Sequence, residues 1–126
     1  MASPSKSDIV RGMFAAYQAK DRASVERTFA DAFRFTSPYD DGIDKAAYFE
    51  RCWPGNERIK LNVIETMFEQ GDQVFVTYKC ATHDGSEFRN TEFFRFDADK
   101  IRSIDVYFGA SYRNGVFVKQ PSSPGA

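Results

Sequence analysis

The sequence predicts an α+β fold on three observations. Apolar residues recur at helical spacing in the first half of the chain, alternating strand-like segments follow from Ile59 onward, and the connections between those segments are very short. Short connections require antiparallel pairing, and helices that precede a strand meander segregate to one side of its sheet.

The first helix is read from Ile9, Val10, Met13, Phe14 and Tyr17, which recur at steps of three and four, with Ser7 or Asp8 as N-cap and an end near Lys20. Asp21 or Ser24 caps a second short helix, whose buried stripe is Val25, Thr28, Phe29 and Ala32. Phe33-Arg-Phe-Thr-Ser37 alternates as a strand that Pro38 stops, and Tyr39-Asp-Asp-Gly42 is a turn. Asp44 caps a third helix that must end by Trp53, because the residue before Pro54 disfavours helical geometry. Ile59 to Glu69, Gln73 to Thr82, Glu87 to Phe96 and Ile101 to Phe108 are the meander strands. One domain over residues 8–112 is expected, with 1–7 and 113–126 as flexible tails on composition.

Bulk properties narrow the partners. At 126 residues the chain can bury a core without disulfides or metals, and a net charge of -1 gives no field to steer it to nucleic acid or an anionic membrane. Cys52 and Cys80 lie far apart outside any CxxC spacing, and a single His excludes zinc sites that need several imidazoles, so no metal and no cofactor are expected. Reduced cysteines and the lack of a signal-like or membrane-length apolar run point to the cytoplasm. The 13 Phe are enough to line a cavity as well as fill a core, which makes a small, largely apolar molecule the expected partner.

One residue breaks the aromatic pattern. In Phe88-Arg-Asn-Thr-Glu-Phe-Phe-Arg-Phe96 the alternation places Phe88, Asn90, Glu92, Phe94 and Phe96 on one sheet face. A carboxyl group flanked by phenyl rings either finds a cation or keeps its proton through a raised pKa, unless the strand is an edge and Glu92 faces water. If Asp84-Gly85 is a two-residue hairpin turn, Lys79 pairs with Asn90 and Thr77 with Glu92, and Lys79 sits diagonally within reach of Glu92. Lys79 then either ionises Glu92 as a base or snorkels to the rim and leaves it protonated. A register one residue different puts Val74, Val76, Tyr78 and Cys80 on that face and makes the cavity more apolar.

The order of two helices, a strand, a third helix and a long meander, together with Ala19-Lys-Asp21, Phe35-Thr-Ser-Pro38, Thr91-Glu-Phe-Phe-Arg-Phe96 and Lys100-Ile-Arg-Ser-Ile-Asp-Val-Tyr-Phe-Gly109, resembles the NTF2-like superfamily, in its SnoaL-like and ketosteroid-isomerase-like branch. The resemblance covers Asp8 to Tyr112 and implies a cone-shaped fold, three N-terminal helices packed on a curved, mostly antiparallel sheet around a pocket. Such cones host isomerases, cyclases, dehydratases, epoxide hydrolases and non-catalytic binders. Carried over by position, the aspartic acid that donates to a substrate oxyanion falls on Glu92, the general-base aspartate on Ser37, and the helical tyrosine donor on Met13, with Tyr17 one turn later. A serine hydroxyl abstracts no proton unaided at neutral pH, so the resemblance carries the pocket and not steroid isomerisation.

The resemblance also turns Ile104, Val106 and Phe108 into the pocket and Asp105 to the outer face, which in this superfamily often packs on a second subunit; the opposite assignment would pair Asp105 with Glu92. Phe93 and Tyr107 on that outer face, with Tyr78 in one register, predict a homodimer. The expected catalytic group is Glu92, Lys79, Asn90 and Tyr17, and the expected pocket adds Met13, Ser37, Trp53, Thr77, Phe94, Ile104, Val106 and Phe108. Tyr48 joins Trp53 on one wall or packs in the core, His83 is a solvated loop residue or a base, and Asp40 and Asp41 are turn residues or a substitute base. An enzyme built this way is a cofactor-independent isomerase, cyclase or lyase. The other readings are a non-catalytic ligand-binding or dimerisation module and a protein-interaction domain.

Overall fold

A computed structural model describes residues 4–119. Helix α1 spans Lys6–Gln18 and α2 spans Arg22–Thr28; β1 is Phe29–Ser37 and β2 is Asp40–Asp44; α3 is Lys45–Arg51, followed by a 3-10 turn at Trp53–Arg58. The remaining strands are β3 (Ile59–Gln70), β4 (Gln73–Thr82), β5 (Ser86–Asp97), β6 (Lys100–Arg113) and β7 (Val116–Val118). They form one seven-stranded sheet in the order β2-β1-β6-β5-β4-β3, with β7 on β6; β1 runs parallel to β6 and the other pairings are antiparallel. The helices pack on one face of this curved, unclosed sheet, so the α+β expectation holds.

Curvature comes from bulges, where an extra residue bends its strand. Phe88 faces Ser111 while Asn90 faces Phe108, so Gly109 and Ala110 of β6 together oppose Arg89. A Cβ on Gly109 would collide with the Arg89 carbonyl oxygen, which explains a glycine within a long strand. Phe33, Phe94, Ile101 and Ile104 are fully buried at the centre, joined by Val10 of α1 and Val25 of α2.

Several elements depart from the sequence expectation. Ser5 caps α1 by accepting from the Asp8 amide at 3.1 Å, so neither Ser7 nor Asp8 is the cap. Asp21 caps α2, and Phe29 and Ala32 lie on β1, which begins where the second helix was expected to continue. β-Branched Thr28 ends the helix, and Phe29 and Phe33 stack at 3.9 Å in the core, so burial of aromatics outweighs helical spacing. The turn contracts to Pro38-Tyr39, and Asp40 to Asp44 pairs back on β1. Trp53 lies past the end of α3, in the 3-10 turn that Pro54 permits. At the ends, α1 begins inside the expected tail 1–7, while Arg113 and β7 are ordered strand inside the expected tail 113–126. The rest of those tails, 1–3 and 120–126, lies outside the described residues.

The largest correction is the register of β4 on β5. Tyr78 faces Asn90 and Val76 faces Glu92, one residue from the pairing that a two-residue turn would give. The loop holds three residues, His83 to Gly85, with the Gly85 amide donating to the Thr82 carbonyl at 3.2 Å and Gly85 at φ 88°. A type I turn closed by a left-handed glycine is the three-residue hairpin solution. The slip turns Lys79 and Thr77 to the outer face, where Lys79 pairs with Glu87 at 2.8 Å and Thr77 meets Thr91 at 3.4 Å.

Candidate functional site

The inner face of the meander carries the site. Alternation sends Val76, Tyr78 and Cys80 of β4, Phe88, Asn90 and Glu92 of β5, and Val106 of β6 toward the helices. From the other side α1 contributes Met13, Phe14 and Tyr17, and α3 contributes Tyr48. Between them lies a cavity of about 580 Å³, large enough for a molecule of several rings. Its lining is largely apolar, with Asn56, Thr82, Asn90 and Glu92 as buried polar residues beside the phenols of Tyr17, Tyr48 and Tyr78, and toward the β4–β5 hairpin it includes exposed charges, with Arg113 paired to Asp84 at 3.0 Å.

Glu92 is 9 % exposed and has no cationic partner among the salt bridges of the described residues. Desolvation raises its pKa from 4.5 to about 7, partly opposed by a hydrogen bond from the Tyr78 hydroxyl. The Asn90 amide nitrogen donates to the same Tyr78 oxygen at 3.2 Å, giving a chain from Asn90 through Tyr78 to Glu92. The Asn90 carbonyl oxygen is buried and has no hydrogen-bond partner among the described residues.

A second polar cluster faces this chain. The Tyr48 hydroxyl donates to the Tyr17 hydroxyl at 2.9 Å, and burial pushes both phenols well above the usual tyrosine pKa. Burial also raises Cys52 and Cys80 to about 12, which makes both poor nucleophiles at neutral pH. Tyr17, Tyr48, Tyr78 and Cys80 are each raised further by the Glu92 charge, so ionisable groups from both layers converge on one carboxyl.

Tyr17 is anchored through its backbone. Asn56 is 3 % exposed and donates to the Tyr17 carbonyl at 2.7 Å. Lys20, at φ 61°, then donates to the Asn56 carbonyl at 2.6 Å, its side-chain oxygen at 3.0 Å and the Ile59 carbonyl at 2.9 Å. These bonds satisfy carbonyls at the end of α1 and in the 3-10 turn. They also give Lys20 and Asp21 of the Ala19-Lys-Asp21 segment physical roles, as clamp and as cap.

Of the residues singled out in the sequence, Glu92, Asn90, Tyr17, Met13, Val106 and Phe108 come together around the cavity. Five expected lining residues do not reach it. Thr77 is on the outer face; the Ser37 hydroxyl accepts from the Tyr39 amide at 3.1 Å; Trp53 packs edge-on against Tyr17 at 4.8 Å from behind; Phe94 and Ile104 fill the core. The expected catalytic Lys79 is outside as well. Asp40 is buried against Arg51, whose guanidinium reaches it at 2.6 Å, and Asp105 pairs with Arg95 at 2.9 Å on the outer face. His83 is exposed in the hairpin. Asn56 and the clamping role of Lys20 went unnoticed in the sequence, and Tyr78 was placed in the site only by the alternative register. The apolar row Val74, Val76, Tyr78, Cys80 was the available signal for it. Among the described residues no group of three His, Cys, Asp or Glu is arranged to hold a metal.

Chemically, a neutral cavity with one carboxyl titrating near neutrality can give or take a proton, and its phenols stay protonated as donors. No curated protein matches the chain in sequence. In structure it is similar to an NTF2-like protein of unknown function from Cytophaga hutchinsonii, with TM-score 0.70 and 20% identity over 85% of this chain and 92% of that one. It is similar also to a candidate hydroxylase from Streptomyces galilaeus (TM-score 0.72, 13% identity, 82% and 88% of the two chains). A candidate polyketide cyclase from Sinorhizobium meliloti gives TM-score 0.65 at 21% identity over 79% and 93%. At these identities the likeness speaks for the NTF2-like fold alone. The family model of the SnoaL-like domain matches residues 10–104, which contain both the helical wall and Glu92. The chain belongs to the SnoaL-like domain family.

Proposed function

We propose that the cavity encloses a small, mostly apolar, uncharged molecule and that Glu92 exchanges a proton with it, in isomerase, cyclase or lyase chemistry that needs no cofactor. The observation that carries this reading is the Glu92 carboxyl, buried at the depth of the cavity with its pKa raised to about 7. Protonated, it donates to a carbonyl oxygen as charge develops there; ionised, it removes a proton from the adjacent carbon or a hydroxyl. Because Tyr48 donates to Tyr17, the Tyr17 proton is left for an oxygen of the ligand, and both phenols remain neutral throughout. A protein of the same fold is described as a candidate polyketide cyclase, so the scaffold is compatible with this class of reaction, while at 21% identity the likeness itself carries no activity to this chain.

For a compound found to turn over in a fragment screen, kcat/KM is expected to show a limb near pH 7. Glu92→Gln should remove that limb and lower kcat by about 100-fold or more. Unchanged turnover in the variant would sink the assignment. A second reading, a ligand-binding module without catalysis, is favoured by the displacement of Ser37 from the cavity and the methionine at position 13, which leave Glu92 without a second acid or base. Saturable binding with no conversion of any bound compound would favour it.

The outer sheet face supports self-association. Leu61, Val63, Phe68, Phe75 and Tyr107 are 44 % to 71 % exposed there, around a Phe75–Phe93 stack at 4.2 Å. Such a patch is large for an isolated monomer, and a two-fold copy would cover it. Sedimentation at micromolar concentration is expected to give a species of twice 14.4 kDa, shifted toward monomer by Phe68→Lys. Monomer alone for the unsubstituted protein would refute the proposal.

A further inference from the structure

We infer that the ligand carries a hydroxyl donor that seats on the Asn90 side-chain carbonyl, beside a carbonyl group that engages Glu92, so that the substrate class is an uncharged hydroxy-carbonyl compound. The inference deepens the proposed function and rests on its reading of the cavity as a ligand site.

The orientation of the Asn90 amide follows from its neighbours. Tyr78 has one hydroxyl proton and directs it to Glu92, so toward Asn90 it can only accept. The amide nitrogen must therefore face Tyr78, at 3.2 Å, and the amide oxygen faces away from it. Asn90 is 8 % exposed, lines the cavity, and its oxygen has no partner among the described residues. A buried acceptor of this kind favours any occupant that supplies a donor and penalises one that displaces solvent without replacing its hydrogen bond. The opposing phenols do not supply it: the Tyr48 proton is committed to Tyr17, and the Tyr17 hydroxyl makes no hydrogen bond to the Asn90 oxygen.

Spacing defines the second group. Asn90 and Glu92 are two residues apart on one strand face, roughly 6.6 Å along the strand. A ligand spanning both thus places two polar atoms about one ring apart. At the Asn90 carbonyl oxygen only a donor fits. At the Glu92 end a carbonyl accepts from the protonated acid, and between the two the walls are apolar, formed by Val106 and Phe108, the register partners of Glu92 and Asn90. An anionic group at this depth has no counter-ion among the described residues, a cation would hold Glu92 ionised and without a proton for the carbonyl, and a hydrocarbon leaves Asn90 unpaired.

The test uses three matched probes: para-hydroxybenzophenone, para-methoxybenzophenone, which keeps the oxygen but has no proton, and benzophenone. Affinities are measured by calorimetry on the full chain at about pH 6, where Glu92 is mostly protonated, and again on Glu92→Gln, so that an ionised carboxylate cannot accept the hydroxyl instead. The expected result is binding of the hydroxy compound about 10-fold or more tighter than either companion in both proteins. In Asn90→Leu the preference should disappear while benzophenone binds at least as well. If all three bind alike, the cavity reading stands and the hydroxyl inference is overturned; the comparison in the unsubstituted protein decides this even if Asn90→Leu does not fold. If none binds at millimolar concentration, the cavity reading itself fails and the inference falls with it.

Discussion

Glu92→Gln is expected to make the protein more stable at about pH 8 by about 3 kcal/mol, and to leave it almost unchanged near pH 4.5. The sign follows from where protons are held. Below the unfolded-state pKa of 4.5 the carboxyl is protonated in both states, and its burial is not penalised. As pH rises from 4.5 to about 7 the unfolded chain releases a proton that the native state retains, so stability falls across that window and then levels off. Glutamine has nearly the same shape, can accept from Tyr78 and cannot ionise, so its curve should be flat where that of the parent declines. Urea unfolding at several pH values checks this without any substrate. Parallel curves for the two proteins would mean that Glu92 is not held above its ordinary pKa. The expected direction matters for function, because an acid that destabilises its own fold at neutral pH is the cost of a site and not of packing.

The second large effect is structural. Gly109→Ala is expected to lower the unfolding free energy by about 3 kcal/mol, at the upper end of overpacking costs, because the added methyl meets the Arg89 backbone carbonyl and not a movable side chain. Gly12 in α1 is the internal control: a Cβ there meets nothing within 4 Å, and replacing a helical glycine by alanine should add about 0.5–1 kcal/mol. Chemical denaturation of both variants measures the contrast. A loss at Gly109 below about 1 kcal/mol would show that the bulge can relax, and the strand with it.

Much of the scaffold was legible because local rules and burial agreed. β4 spans Gln73–Thr82 as its alternation predicts, and Asp44 caps α3 by accepting from the Ala47 amide at 2.9 Å. The site was legible at Glu92, where a lone carboxyl interrupts an aromatic row, and less so at its partners, where two local signals conflicted. Asp84-Gly85 fits a two-residue turn, but the same glycine also closes a three-residue loop, and only the apolar row Val74, Val76, Tyr78, Cys80 distinguishes them. Burying that row outweighs any preference of a two-residue turn, since the other register would bury Lys79 and expose Tyr78. The Lys20 clamp was not legible at all. Two of its three acceptors are backbone carbonyls some forty positions away, at Asn56 and Ile59, and carbonyls carry no side-chain signature.

The hydrogen-bond chain Asn90–Tyr78–Glu92 occupies two adjacent strands, β4 and β5, whereas much of the wall around it comes from elsewhere: Met13 from α1, Phe35 from β1, and Val106 and Phe108 from β6. Substitutions that reshape the cavity therefore fall largely on elements that do not hold the acid, and substitutions in the acid's ladder need not alter cavity shape. The shape of the cavity and the setting of its carboxyl can therefore change separately. That modularity gives a physical basis for the shape of the cavity to change while its buried carboxyl stays in place.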